Sequence, residues 1–190
     1  MSRKNLSWKE GLSPQEKEAL VQKIAAEARY NELHYYGCSQ SVLGALQKHL
    51  GIGSDGLFKA ATPFFGGATM GELCGAVSGG MLAIGSVYGR EQFQDGVNAH
   101  NDPQCAESRR RARFFLHKFR DEYGYLTCRD IRYQVRGIPT FAQLLPPDPT
   151  PEDWARADAL YPNHDKCGDV CAKAAKLAAE VILAPQIVLE

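Results

Sequence analysis

From Cys74 to Gly89 the chain carries no charged side chain, and Gly75, Gly79, Gly80 and Gly85 fall within that run. It is long enough for about four helical turns. Glycine costs a helix about 1 kcal/mol per position relative to alanine. A helix that accepts so many must be approached closely along its backbone, by a neighbouring helix or by a bulky inorganic group held on Cys74. Such a segment constrains the fold, because other helices have to close onto it.

The rest of the chain supplies helices. Ser13-Pro14-Gln15-Glu16 combines an N-cap, a first-turn proline and a capping-box glutamate. The helix it opens is expected to reach about Tyr30 or His34, with Leu20, Ile24, Ala25, Ala28 and Leu33 on its apolar stripe. A second helix is expected from about Ser39 to Leu50, ended by Gly51, and a short third over Ser54 to Ala61. Phe64-Phe65-Gly66-Gly67 reads as a tight, flexible turn into the glycine-rich segment. Asp102 caps a long helix to about Tyr123. Its Arg109, Arg110, Arg111, Arg113, Lys118 and Arg120 form a basic, solvated face opposite Phe114, Phe115, Leu116 and Phe119. Thr127 starts a helix to about Val135. Thr150-Pro151 starts one to Leu160, and Asn163 to Asp165 a final one to about Leu183. Strand pairs, repeats and low-complexity tracts are absent. The expected fold is all-α, a single-domain bundle of about six to eight helices over residues 13–190. Residues 1–12 read as a flexible N-terminus. Residues 139–151 read as a proline-rich extended connection, with one helical turn at Phe141 to Leu145.

A 44% hydrophobic and 23% charged composition with zero formal net charge is ordinary for a globular domain. It points to neither nucleic acid nor an anionic membrane surface. Met1 to Gly11 has no apolar run, so no secretory signal is expected. Residues 73–88 are too short and glycine-rich for a spanning helix. The expected compartment is the cytoplasm, where the six cysteines, Cys38, Cys74, Cys105, Cys128, Cys167 and Cys171, read as metal-binding or redox-active rather than as a disulfide framework. They form no CxxC pair, and no CxxCH is present.

Four of them, Cys38, Cys74, Cys128 and Cys167, fall at or near predicted helix N-termini. Each such end carries about half a positive charge. A thiolate there is stabilised, and its pKa is expected below the free value of about 8.5. Four thiolates on an iron–sulfur core of charge about +2 leave about −2, against roughly +2 from four helix ends. A tetrahedral zinc site with four thiolates suits the same arrangement, as does plain burial of cysteine in a core. Cys171, one turn after Cys167, reads as an extra ligand, a resolving thiol or core. Cys105 reads as a buried first-turn residue.

Among other side chains, His34 and His164 lie close to cysteines in sequence, and Glu72 precedes Cys74 by two residues. These two histidines read as surface or capping residues, with ligand or proton carrier near the site as the alternative; His49, His100 and His117 are scattered elsewhere. Glu72 reads as a helix-start carboxylate favoured by the dipole, with general base as the alternative. No P-loop, GxGxxG after a strand, HExxH or GxSxG occurs.

Gly37-Cys38-Ser39-Gln40, Phe65-Gly66-Gly67, Cys74-Gly75-Ala76-Val77-Ser78-Gly79, Cys128-Arg129-Asp130-Ile131 and Cys167, in that order, resemble the redox-active proteins named for their C-GCAxxG-C-C pattern. The resemblance covers about residues 35 to 175. It implies that Cys38, Cys74, Cys128 and Cys167 are the shared set. It also implies a redox or electron-transfer role beside an oxidoreductase or transporter-associated partner. A related domain of split-Soret cytochromes implies an iron–sulfur cluster; their haem-binding part has no counterpart here. The long 139–163 connection, Cys105 and Cys171 are additions to the pattern.

The expected function is therefore a small electron-transfer protein holding an iron–sulfur cluster on Cys38, Cys74, Cys128 and Cys167, an accessory redox protein more than a stand-alone enzyme. The alternatives are a thiol–disulfide oxidoreductase attacking through Cys74 with a resolving cysteine, and a structural zinc protein. A homodimer is left open.

Overall fold

The computed structural model describes residues 11–138, 145–160 and 163–187. Among the described residues the regular elements are α1 (Pro14–Tyr35), α2 (Cys38–Leu50), α3 (Asp55–Ala60), α4 (Gly75–Tyr88), α5 (Pro103–Tyr123), α6 (Cys128–Arg136), α7 (Pro151–Leu160) and α8 (Asp165–Leu183). There is no strand or sheet among them, only isolated bridges pairing Leu73 with Thr127 and Gln94 with Val97. The all-α expectation holds.

Local chemistry sets the helix ends. The Ser13 hydroxyl accepts the Glu16 N–H at 3.2 Å, and the Glu16 carboxylate accepts the Ser13 N–H at 2.9 Å. This capping box satisfies two of the unpaired donors of the first turn. Asp102 accepts the N–H groups of Gln104 and Cys105 at 2.8 and 3.2 Å. Gly51 closes α2 in the left-handed conformation that glycine adopts without a Cβ penalty.

Helix α4 lies at the centre, against α2, α5 and α8, and α1 covers α2 and α8. The close approach expected of its glycines is real at Gly75, which the Cys38 sulfur and the Phe64 carbonyl crowd, and at two positions further along the helix. A Cβ on Gly79 would run into the backbone carbonyl oxygen of Ser39 on α2. One on Gly80 would stand 2.6 Å from the Phe115 ring of α5 and 3.3 Å from Ala178 of α8. Gly85 departs from the expectation, with nothing within 4 Å of such a Cβ. Ile24, Leu43, Leu46, Ile84, Phe115, Phe119 and Ile182 fill the interior between these helices.

The arginine run of α5 is only partly a solvated face. Arg111 is 3% exposed. Its guanidinium donates to the carbonyls of Val181 at 2.6 Å, Ala184 at 2.8 Å and Pro185 at 3.3 Å, pairs with Glu107, and lies over the Tyr88 ring. The last carbonyls of a helix lack intrahelical donors and carry partial negative charge, so one buried cation closes the C-terminus of α8. The predicted turn at Phe64–Gly67 is a 3-10 turn, Thr62–Phe64, followed by a left-handed turn that runs to Gly71. The helical turn expected at Phe141 to Leu145 lies outside the described residues except for Leu145, and the flexible N-terminus expected over residues 1–12 lies outside them except for Gly11 and Leu12.

Candidate functional site

Each of the four pattern cysteines stands at a helix N-terminus. Cys38 is the first residue of α2, Cys74 caps α4, Cys128 is the first residue of α6, and Cys167 lies in the first turn of α8. Backbone hydrogen bonds set two of these ends side by side. The Cys74 N–H donates to the Leu126 carbonyl at 2.8 Å, and the Cys128 N–H to the Glu72 carbonyl at 2.6 Å. The Cys38 sulfur rests against Gly75, where any Cβ would collide with it. Cys171, fully buried one turn after Cys167, directs its thiol at the Cys38 carbonyl at 3.9 Å. The five thiols lie close enough for each to act on others' ionisation.

Cys105 is elsewhere. It sits at the start of α5, two turns before Arg111, and Arg111 binds the far end of α8. That end is about 22 Å from Cys167, at about 1.5 Å per helical residue.

The loop before α4 supports the sulfurs from the other side. Gly66, Gly67, Ala68 and Thr69 have φ of 63°, 70°, 52° and 63°. A β-branched residue in this region is a genuine outlier. This left-handed path brings the Gly66 N–H to the Cys38 sulfur. It also places Gly67 where a Cβ would stand 2.7 Å from that of Cys128. Phe64, Phe65 and Met70 of the same loop remain exposed.

Three charged side chains that the sequence reading passed over complete the pocket. Glu32 of α1 is 4% exposed, accepts the Ser41 hydroxyl at 3.0 Å and touches Cys171. It continues the stripe of Ile24 and Ala28 at four-residue spacing, and a carboxylate on that stripe was the available signal. Arg132 and Arg136 are also buried and follow Cys128 at the same spacing, so one line of α6 carries all three inward. Arg129 and Tyr133, on the other side, are exposed.

His164 caps α8, half-buried 4.0 Å from Glu32 and tilted on the Tyr36 ring, so it belongs to the pocket and not to the surface. His34 is exposed and stacked on Tyr30. Glu72 is exposed and paired with Arg129 at 3.1 Å.

Burial decides the protonation of this pocket. It pushes Cys74 up to about 12 and Cys128 up to about 11, and raises Cys38, Cys167 and Cys171 as well. The lowering expected from helix ends is present but smaller: the N–H groups of Val77 and Ala76 pull Cys74 down. Arg132 does the same for Cys128 and Cys167, and Arg136 for Cys167. Desolvation disfavours the charged form and outweighs these contributions. The Glu32 carboxyl rises to about 7 for the same reason, held back by Ser41, Cys171 and the two arginines. Among the described residues no three His, Cys, Asp or Glu side chains close to the distance of a single metal ion.

The family model described as "Putative redox-active protein (C_GCAxxG_C_C)" matches residues 36–181. The chain belongs to this family. No curated protein and no solved structure matches it. The C_GCAxxG_C_C match takes in every cysteine, Arg132, Arg136 and His164, whereas Glu32 precedes it. No described helix is long and apolar enough to cross a membrane.

Proposed function

We propose that this C_GCAxxG_C_C protein holds one iron–sulfur cluster on Cys38, Cys74, Cys128 and Cys167 and carries electrons for a partner oxidoreductase. The observation that carries the reading is that four cysteines, dispersed over the chain, stand at four helix N-termini, with Cys38, Cys74 and Cys128 brought together through Gly75 and the paired backbone hydrogen bonds, and Cys167 near enough to act on Cys74 and Cys128. The donor set fits the group, because thiolates are the usual ligands of such clusters. When bound, the cluster supplies one-electron transfer. The chain contributes ligation, burial, and helix-end and backbone N–H dipoles aimed at the sulfurs, and these adjust a cluster's potential.

The electrostatics favour this reading over an attacking thiolate at Cys74. A thiol pushed up to about 12 is protonated at neutral pH and is a poor nucleophile. A bound cationic centre reverses that situation, since a coordinating thiol is deprotonated outright.

The test is the visible spectrum of protein purified without oxygen, with iron, sulfide and zinc content. Broad sulfur-to-iron absorbance with matching iron and sulfide supports the reading. Colourless protein with free thiols, or with one zinc per chain, overturns it.

A further inference from the structure

Helix α6 places Cys128, Arg132 and Arg136 at four-residue intervals, on one line along its axis. Both arginines are buried, at 6% and 7% exposure, while Arg129 of the same helix is half-exposed and paired with Glu72. Arg132 acts on Cys167, Cys128 and Cys38, and Arg136 on Cys167. A guanidinium is expensive to bury unless negative charge faces it.

We infer that Arg132 and Arg136 are built-in counter-cations, placed to balance the negative charge that appears when the four cysteines bind their group as thiolates. The inference rests on the reading that these cysteines hold a cluster. Four thiolates around a core of charge about +2 leave about −2. Two guanidinium groups, effectively always protonated, match that sum. Glu32 faces the same sulfurs. The side chains opposite them therefore carry one net positive charge when its carboxyl is ionised and two when it is protonated.

Their consequence is a direction of potential. Reduction adds one electron, and one negative charge, to the thiolate-bound group. Fixed positive charge nearby favours the reduced form, so removing an arginine makes reduction harder. One buried unit charge within about 10 Å, at an effective dielectric constant of about 20, changes the oxidised-to-reduced ratio about tenfold or more. Tenfold is about 59 mV for a one-electron couple. Arg129, in water, is screened.

The experiment reconstitutes the full chain with ferrous iron and sulfide without oxygen, then measures iron content and midpoint potential. The variants are Arg132→Met, Arg136→Met, Arg132→Lys, Arg136→Lys and Arg129→Met. Circular dichroism selects those that retain the helical fold. The expected result is a potential lowered by about 59 mV or more in each buried Met variant, with Lys and Arg129→Met near wild type. Loss of the cluster in the folded Met variants, with retention in the Lys variants, supports the same role. Buried Met variants with the wild-type cluster and potential overturn it, as does an equal shift in Arg129→Met. A wild-type protein that builds no cluster overturns the proposed function and this inference together. A normal wild-type cluster with unmoved variants overturns only the arginines' role.

Discussion

The packing of α4 predicts that one substitution has opposite effects at two positions of the same helix. At Gly79 an added Cβ stands about 1 Å inside ordinary van der Waals contact with the Ser39 carbonyl oxygen, and a backbone atom cannot swing aside. Helices α2 and α4 must part by about that distance. A gap of 0.5–1 Å forfeits roughly a quarter to a half of each atomic contact along the seam. Overpacking of this kind costs about 1–3 kcal/mol, and the helix propensity of alanine returns about 1 kcal/mol. The net for Gly79→Ala is a loss of about 0–2 kcal/mol. At Gly85 nothing lies within 4 Å, so the propensity term stands alone and Gly85→Ala gains about 1 kcal/mol. In a chain of this size 1 kcal/mol moves Tm by about 2–4 °C. Thermal melts followed by far-ultraviolet circular dichroism should therefore place Gly85→Ala above wild type and Gly79→Ala below it. Two shifts of the same sign would refute the reasoning that the central glycines of α4 exist for the approach of α2.

Ala68→Gly and Thr69→Gly relieve residues held at positive φ, and each should stabilise the protein by about 1 kcal/mol in urea denaturation. Arg111→Leu leaves the carbonyls closing α8 without their donor, and should cost about 3 kcal/mol or more in the same assay. Glu32 has a folded pKa raised from 4.5 to about 7, so its protonated form stabilises the fold. That contribution is complete below pH 4.5 and is lost as pH rises through about 7. At about 1.36 kcal/mol per pKa unit it amounts to about 3 kcal/mol. Metal-free wild type should lose that much relative to Glu32→Gln between pH 4.5 and 8 in denaturant titrations. His164, lowered by burial, contributes a slope of opposite sign in both proteins.

Much of the fold was legible because its helix ends are written in local chemistry. Ser13 with Glu16, Asp102 before Pro103, and Gly51 after Leu50 each act within a few residues of themselves. The positions of Cys38, Cys74, Cys128 and Cys167 at helix starts followed from the same signals. What long-range packing decides was less legible. Arg111 looks like its neighbours in an arginine run and differs only because the end of α8 arrives beside it. Glu32, Arg132 and Arg136 lie on inward lines of α1 and α6, where a polar residue reads as a break in the stripe until a pocket is found opposite. The left-handed path through Ala68 and Thr69 has no sequence marker, since neither residue favours it. The raised thiol pKa values follow from the depth of the pocket, and helix-end arithmetic alone points the other way.

The most direct test of the central claim is the iron bound per chain, without oxygen, by Cys38→Ser, Cys74→Ser, Cys128→Ser and Cys167→Ser beside Cys105→Ser. The account predicts that each of the four loses most of its iron and its visible absorbance, while Cys105→Ser, at the far end of the bundle, keeps both. Retention of wild-type iron in any of the four, or its loss in Cys105→Ser, would contradict it.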